Sequence, residues 1–200
     1  MVLIFSLSCE ELEQQENSSA MKDLAIAAND YGIAAQINFK YGDYQNLKIS
    51  DAVKNVKLSD LEKYQLTESG KLPEIIGNVK YSIEFGMDNT MRVKFNFKSA
   101  PTADQLKSLS STIDGKAAEL EKLGDKQYAL VVRNIAAPQI DTAHTFTISD
   151  GKNTYTTVRS GLSYAYSIIK SSSNETLIDL VKAFYLYNLY NKAANVYFKE

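Results

Sequence analysis

Residues 79–97 read VKYSIEFGMDNTMRVKFNF. Val79, Tyr81, Ile83 and Phe85 alternate with Lys80, Ser82 and Glu84. Beyond Gly86–Thr90, Met91, Val93, Phe95 and Phe97 alternate with Arg92, Lys94, Asn96 and Lys98. A period of two sends successive side chains to opposite faces of a strand, so each run offers one apolar face to a core and one polar face to water. The stretch predicts a β-hairpin, and the rest of the fold is read outward from it.

Towards the C-terminus the strand pattern continues in short pieces. Strands are expected around 108–113 and 116–121, joined by Asp114-Gly115, a pair suited to a type I′ turn. Another is expected at 127–133, carrying Tyr128, Leu130 and Val132, and a last pair at 144–149 and 153–159 around Asp150-Gly151. About seven short strands at regular spacing, each able to pair antiparallel with a neighbour, predict a β-sandwich of Ig-like type.

On both sides of this region the period lengthens. Leu24, Ala27, Ala28, Tyr31, Ala35 and Phe39 recur at helical spacing after Asn17-Ser18-Ser19, which has helix-cap chemistry. A helix is expected over about 19–40, ended by Tyr41-Gly42-Asp43-Tyr44. Upstream, Val2–Ser8 reads as a strand and Glu10–Glu16 as a weak helix former. Downstream, residues 45–77 read as a connector with one short helix or turn at Ser59–Tyr64. After Ser160, Leu162, Tyr166 and Ile169 suit a short helix, Ser171–Ser173 breaks it, and Asn174 can cap a second long helix over 175–198. The expected fold class is α+β, an antiparallel Ig-like β-sandwich of about seven strands flanked by amphipathic helices at both ends. The expected segments are 1–75 (strand, helix and connector), 76–160 (sandwich) and 161–200, a helical segment packing with the N-terminal helix or the sandwich.

The two helical ends repeat each other. YGIAAQINFKY at 31–41 shares its Tyr, Ala pair and Phe with YNKAANVYFKE at 190–200. Leu7-Ser8 matches Leu162-Ser163, Asp23-Leu24 matches Asp179-Leu180, and Tyr31 matches Tyr187. With three extra residues in the second copy, Ala34-Ala35 match Ala193-Ala194 and Phe39 matches Phe198. Three residues are close to one helical turn, so the insertion rotates the face only modestly. The chain reads as the end of one module followed by a whole one. Tyr31, Ala34, Ala35, Phe39, Phe184, Ala194 and Phe198 are assigned to helix packing: alanines admit a close neighbour, and each buried ring contributes about 1.5–3 kcal/mol.

At this point the chain resembles a known pattern. LAIAANDYGIAAQINFKYGDY, then VVRNIAAPQIDTAHTFTISDG, then LSYAYSIIKSSSNETLIDLVKAFYLYN is similar to an uncharacterised module of secreted and cell-surface proteins of gut Clostridia and related Firmicutes. The resemblance covers nearly the whole chain. It rests on Tyr31-Gly32, Ala34-Ala35-Gln36, Phe39, Asn134-Ile135, Asp141, Leu162-Ser163-Tyr164 and the run from Leu180; the three residues added near Leu189-Tyr190-Asn191 depart from it. It implies an extracellular or cell-surface location, neighbouring modules of the same polypeptide as partners, a host or cell-wall glycan or protein as a further partner class, and no catalytic motif.

Composition narrows the function classes. A net charge of −2 argues against a nucleic-acid backbone as partner, and no apolar run approaches the ~20 residues of a membrane-spanning helix, so membrane insertion is not expected. One cysteine, Cys9, excludes an internal disulfide. Thirteen tyrosines and no tryptophan suit half-buried packing positions; the alternative use is a sugar-stacking platform of Tyr185, Tyr187, Tyr190 and Tyr197. The single histidine, His144, has Asp141 nearby in sequence but no nucleophile-elbow pattern to complete a triad. A zinc site needs more His or Cys than the chain holds. Glu119 and Glu121 would share a strand face in solvent, and Asp88-Asn89, Asp114-Gly115, Asp125 and Asp150-Gly151 read as turn chemistry rather than calcium loops. The nine glycines are scattered singly, without a phosphate-cradling loop. The expectation is therefore no catalytic residue, metal or cofactor, and a structural or interaction module, with carbohydrate binding as the alternative.

Overall fold

The computed structural model describes the backbone of residues 9–85 and 89–197 and the side chains of 18–85 and 89–196. The expected strand at Val2–Ser8, most of the expected turn after Phe85, and Phe198 lie outside the described residues. In chain order the elements are helices α1 (Cys9–Phe39) and α2 (Asp51–Asn55); strands β1 (Thr67–Gly70), β2 (Ile76–Glu84) and β3 (Asn89–Phe97); helix α3 (Ala103–Lys107); strands β4 (Ser110–Ile113), β5 (Lys116–Ala117), β6 (Glu121–Gly124), β7 (Gln127–Ile135), β8 (His144–Ser149) and β9 (Thr154–Arg159); and helices α4 (Gly161–Ser171) and α5 (Glu175–Tyr197). The chain is α+β and divides into two compact units, Met1–Val56 with Ser172–Glu200, and Lys57–Ser171. The expected segment boundaries at 75/76 and 160/161 fall inside the second unit, because β1 pairs with β9 and the 3-10 turn Leu58–Tyr64 packs on α4.

The first unit is built on α1 and α5. Helix α1 starts well before the expected 19: Asn17, Ser18 and Ser19 lie inside it. Cap chemistry favours a helix start but does not forbid continuation, and the preceding Glu, Leu and Gln residues are good helix formers. The helix ends in a Schellman motif. Tyr41 N–H donates to Gln36 O (3.0 Å) and Lys40 N–H to Ile37 O (3.4 Å), with Lys40 in the left-handed region at φ 54°. Helix α5 is capped by the preceding Asn174, whose Oδ1 accepts from Leu177 N–H at 3.2 Å. The two helices run antiparallel: Asn38 meets Thr176 at 3.1 Å, while Tyr31, a turn and more earlier, meets Phe184 and Tyr187.

The second unit holds two antiparallel sheets, ordered β1-β9-β8-β4-β5 and β2-β3-β7-β6. The quoted hairpin is β2–β3, with Val79 opposite Phe95 and Tyr81 opposite Val93. Strand β3 lies between β2 and β7, and its Met91, Val93 and Phe95 are fully buried. Asp114 and Gly115 adopt φ 53° and 75°, the two left-handed positions of a type I′ turn between β4 and β5. Two expectations are corrected. The strand expected over 116–121 is two strands: Lys116–Ala117 pairs in one sheet and Glu121–Gly124 in the other, so the chain changes sheets at Ala118–Leu120 and Glu119 does not share a strand with Glu121. Among the described residues the sheets together hold nine strands where about seven were expected; β1 lies in the segment read as connector. Helix α4 opens with a reciprocal cap, Ser163 N–H to Ser160 Oγ (3.0 Å) and Ser160 N–H to Ser163 Oγ (2.9 Å).

Candidate functional site

The residues assigned to helix packing divide sharply. Ala34 and Ala194 are buried and Phe184 has no solvent exposure. Tyr31 stacks on Tyr187 (centroids 5.3 Å, interplanar 14°) and tilts against Phe184 (5.7 Å, 37°), the offset geometry that adds to ring burial. Ala35 is half-buried. Phe39 is 60% exposed, against its assignment to packing. It lies five residues past Ala34, about 140° around the helix, and so leaves the buried stripe.

Asp30 was not singled out from sequence and is the polar centre of this unit. It is buried on the same face as Ala27 and Ala34. Its Oδ1 accepts from Ser50 N–H (3.1 Å) and its Oδ2 from the Ser50 hydroxyl (2.6 Å). Ser50 is the N-cap of α2 and makes no side-chain cap bond there, so Asp30 draws the cap residue towards α1 and fixes the connector. The signal was available: one carboxylate within an apolar stripe requires a partner, because an unpaired buried charge is costly. Asp179, on α5, is pushed up by burial and by Glu175, with Lys182 and Lys54 opposing.

The four tyrosines of the sugar-stacking alternative have different surroundings. Tyr185, Tyr187 and Tyr190 are half-buried, and the side chain of Tyr197 lies outside the described residues. Tyr187 gives a ring face to Tyr31. Tyr190 borders a small cavity of about 140 Å³ with Asp23, Ala27, Asp30, Ala52 and Leu186. Tyr185 and Tyr187 are two residues apart, about 200° around the axis, so they leave the helix in opposite directions.

In the second unit the carboxylate hydrogen-bonded to His144 Nδ1 is Asp114 (2.7 Å), from the β4–β5 turn. Asp114 also accepts from Thr145 N–H at 2.7 Å. Burial pushes the Asp114 carboxyl up, but the hydrogen bonds and charge of His144 and the Thr145 amide outweigh it and hold it below its usual range. The pair pins a turn to β8. Asp150 does the same for the β8–β9 turn, accepting from Asn153 and Lys152 N–H, which lower its pKa. Glu121 receives both guanidinium nitrogens of Arg133 (2.6 and 2.5 Å) across β6–β7.

A second cluster was also missed in the sequence. Arg159, at the end of β9, is buried, pairs with Glu68 of β1, and lies 5.4 Å from the Tyr81 ring centre; its Nε has no hydrogen-bond partner. Tyr81 donates its hydroxyl to Ser160 O at 2.7 Å and meets Tyr164 edge-on at 5.6 Å. Burial drives the Tyr81 phenol far above its ordinary pKa, against the lowering effects of Ser163 and Arg159. An open groove of about 730 Å³ beside β5 is lined by Leu106, Leu109, Ser111, Thr112, Ala117 and Leu120, with Lys107 and Glu119 also along it.

Among the described residues no group of three or more His, Cys, Asp or Glu is placed to hold a metal ion, and no helix is long and apolar enough to cross a membrane. Comparison with family models, with curated proteins and with solved structures finds no match for the chain.

Proposed function

We propose that this chain is a non-catalytic extracellular module of a larger bacterial surface protein, an Ig-like sandwich carried with a helix pair and serving as spacer, adhesion or assembly unit. The observation that carries the reading is the strand order. Naming β2, β3, β4, β5, β6, β7, β8 and β9 as strands A, B, C, C′, D, E, F and G, the sheets run A-B-E-D and G-F-C-C′, with β1 added beside G. This order is compatible with the A-B-E-D and G-F-C sheets of immunoglobulin constant-type sandwiches, with two further strands, C′ and β1, and it supports the Ig-like reading. The repeat shared by α1 and α5 supports a module used in series, and the resemblance to gut Clostridia surface modules supports the extracellular location. Nine-residue β3, buried at every second residue, supplies the inner face such a sandwich requires.

The test is a panel of glycan and peptide substrates together with a glycan array. Neither turnover nor glycan binding is expected. Turnover abolished by a single carboxylate change would overturn the reading. Glycan binding lost in Tyr185→Ala or Tyr190→Ala would replace it with the carbohydrate-binding alternative. The gene's full reading frame checks the location: a secretion signal and neighbouring modules are expected.

A further inference from the structure

We infer that the cavity between α1, α2 and the closing half of α5 is a binding site for a primary ammonium group carried on a short alkyl stem. The cavity lies wholly within one compact unit. The inference goes beyond the module reading, which gives this cavity no role.

The lining carries the chemistry. The cavity has a volume of about 140 Å³, with Ile26, Ala27, Ala52 and Leu186 as apolar walls and Asp23, Asp30 and Tyr190 as its other groups. Asp30 is only 4% exposed. Its two carboxylate oxygens accept from the Ser50 amide and the Ser50 hydroxyl, so its hydrogen bonds come from a neutral residue. Among the described residues no lysine, arginine or histidine forms an ion pair with Asp30 or Asp23. Asp23 is half-buried and stands about two turns before Asp30 on the same face of α1, so the two carboxylates bracket Ile26 and Ala27. A buried charge without an opposite one is costly. A cation set against Asp30 offsets that cost, because opposite charges attract strongly where water is excluded.

Size and wall chemistry narrow the cation. A calcium or magnesium ion takes about six or more oxygen ligands, and the side chains of Ile26, Ala27, Ala52 and Leu186 supply none. Among the described residues no group of three or more His, Cys, Asp or Glu is placed to hold a metal ion. An anion would face two carboxylates. A sugar ring is disfavoured because ordinary ligand pockets begin near ~300 Å³. At about 30 Å³ for each water-sized atom, the cavity takes roughly five heavy atoms. That is a nitrogen on a four-carbon stem, the group that ends a lysine side chain. The apolar walls suit the stem, Asp30 suits the ammonium, and the half-buried Tyr190 adds an aromatic ring, which attracts a cation at its face. A free alkylamine and a lysine of a second polypeptide present the same chemistry, and the test separates them.

The experiment follows the amide NMR shifts of the full chain as n-butylammonium chloride is added to about 50 mM, well above the Kd of about 1–10 mM expected for so few atoms. Saturating shifts are expected at residues 23–30, 52 and 186–190. At the same ionic strength, n-butanol (the stem without the charge) and tetraethylammonium (the charge on too wide a group) are expected to give none. Asp30→Asn keeps an oxygen for the Ser50 amide but loses the charge, and is expected to weaken binding about tenfold or more. Ala52→Leu, at an exposed helical position where Leu is well tolerated, fills the cavity and is expected to abolish binding with circular dichroism unchanged. That variant decides the matter even if Asp30→Asn does not fold. Shifts that never saturate, equal shifts with n-butanol or tetraethylammonium, or undiminished binding in folded Ala52→Leu or folded Asp30→Asn would each overturn the inference. Nα-acetyl-lysine N-methylamide is the second probe. Shifts matching those of n-butylammonium assign the site to a lysine side chain, and shifts from n-butylammonium alone assign it to a free amine. None of these results bears on turnover or glycan binding, which test the module reading separately.

Discussion

Phe184 and Phe39 show how far one position around a helix decides the effect of a ring. Phe184 has no exposure and contacts Tyr31, so Phe184→Ala removes a buried ring and leaves a cavity; a loss of about 3–5 kcal/mol is expected in urea unfolding. Phe39 is largely in solvent, and Phe39→Ser should stay within about 0.5 kcal/mol of wild type. Equal effects would mean that the seam is not where these contacts put it. Tyr81 gives a pH test. Burial, the largest influence on it, raises the phenol's pKa in the folded state above the unfolded value of about 10. The folded chain thus retains a proton that the unfolded chain gives up. Stability from this group is complete below about pH 10 and is lost as pH rises above it. Tyr81→Phe should lower stability near neutrality by about 1 kcal/mol through the lost bond to Ser160 O, and should flatten the decline between about pH 9.5 and 11. Tyr155 and Tyr164 are raised too, so part of the slope should survive. An unchanged alkaline slope in Tyr81→Phe would rule out its share.

At the scale of elements, β1 hangs on a backbone position that tolerates only glycine. Gly70 sits at φ +79° and a Cβ there would run into the Thr154 carbonyl. Gly70→Ala should destabilise the chain by more than about 1 kcal/mol, with the loss visible first as faster hydrogen exchange at the β1–β9 ladder; uniform exchange across both sheets would contradict that. Strand β1 also shows why some of the fold was hidden in the sequence. The paired strands β2 and β3 were legible because Met91, Val93, Phe95 and Phe97 alternate with polar residues. Thr67–Gly70 is exposed at every position, so no alternation can betray it; its attachment is the backbone ladder, the Thr157 hydroxyl on Thr67 O (3.0 Å) and Arg159 on Glu68. Strand β6, EKLG, lacks the pattern for a similar reason. The early start of α1 was hidden because Asn17-Ser18-Ser19 looks like a cap and only the residues before it carry the helix through. For the candidate site, helical spacing was enough to bring Tyr31, Ala34 and Phe184 into view. The Asp30–Ser50 and Arg159–Glu68 pairs join residues 20 and 91 positions apart, and no local pattern encodes a partner at that distance.

The two units of the whole molecule differ in how the chain supplies them. Lys57–Ser171 is one continuous stretch, whereas the first unit needs segments from both sides of it. The continuous stretch contains both sheets, the buried Phe95, Phe146 and Leu130 of their strands, and the buried Leu61 and Leu162 of the 3-10 turn and α4. Both sheets and these core residues come from this one stretch, so residues 57–171 expressed alone should fold, with a strand-rich circular dichroism spectrum and one cooperative thermal transition. Residues 9–56 alone should be much less helical than in the intact chain, because Ala27 and Ala34 lose the surface that buries them. The order of folding follows. The Asn38–Thr176 contact joins residues 138 apart, so closing the α1–α5 seam through a disordered middle would be slow, and the prior folding of 57–171 shortens that loop. A seam that closes last contributes little to the transition state. Phe184→Ala should then act chiefly by speeding unfolding, with a φ-value near zero, while Phe95→Ala, in the centre of β3, should slow folding. A fragment 57–171 that fails to fold, or a φ-value near one at Phe184, would show instead that the helix pair organises the sheets.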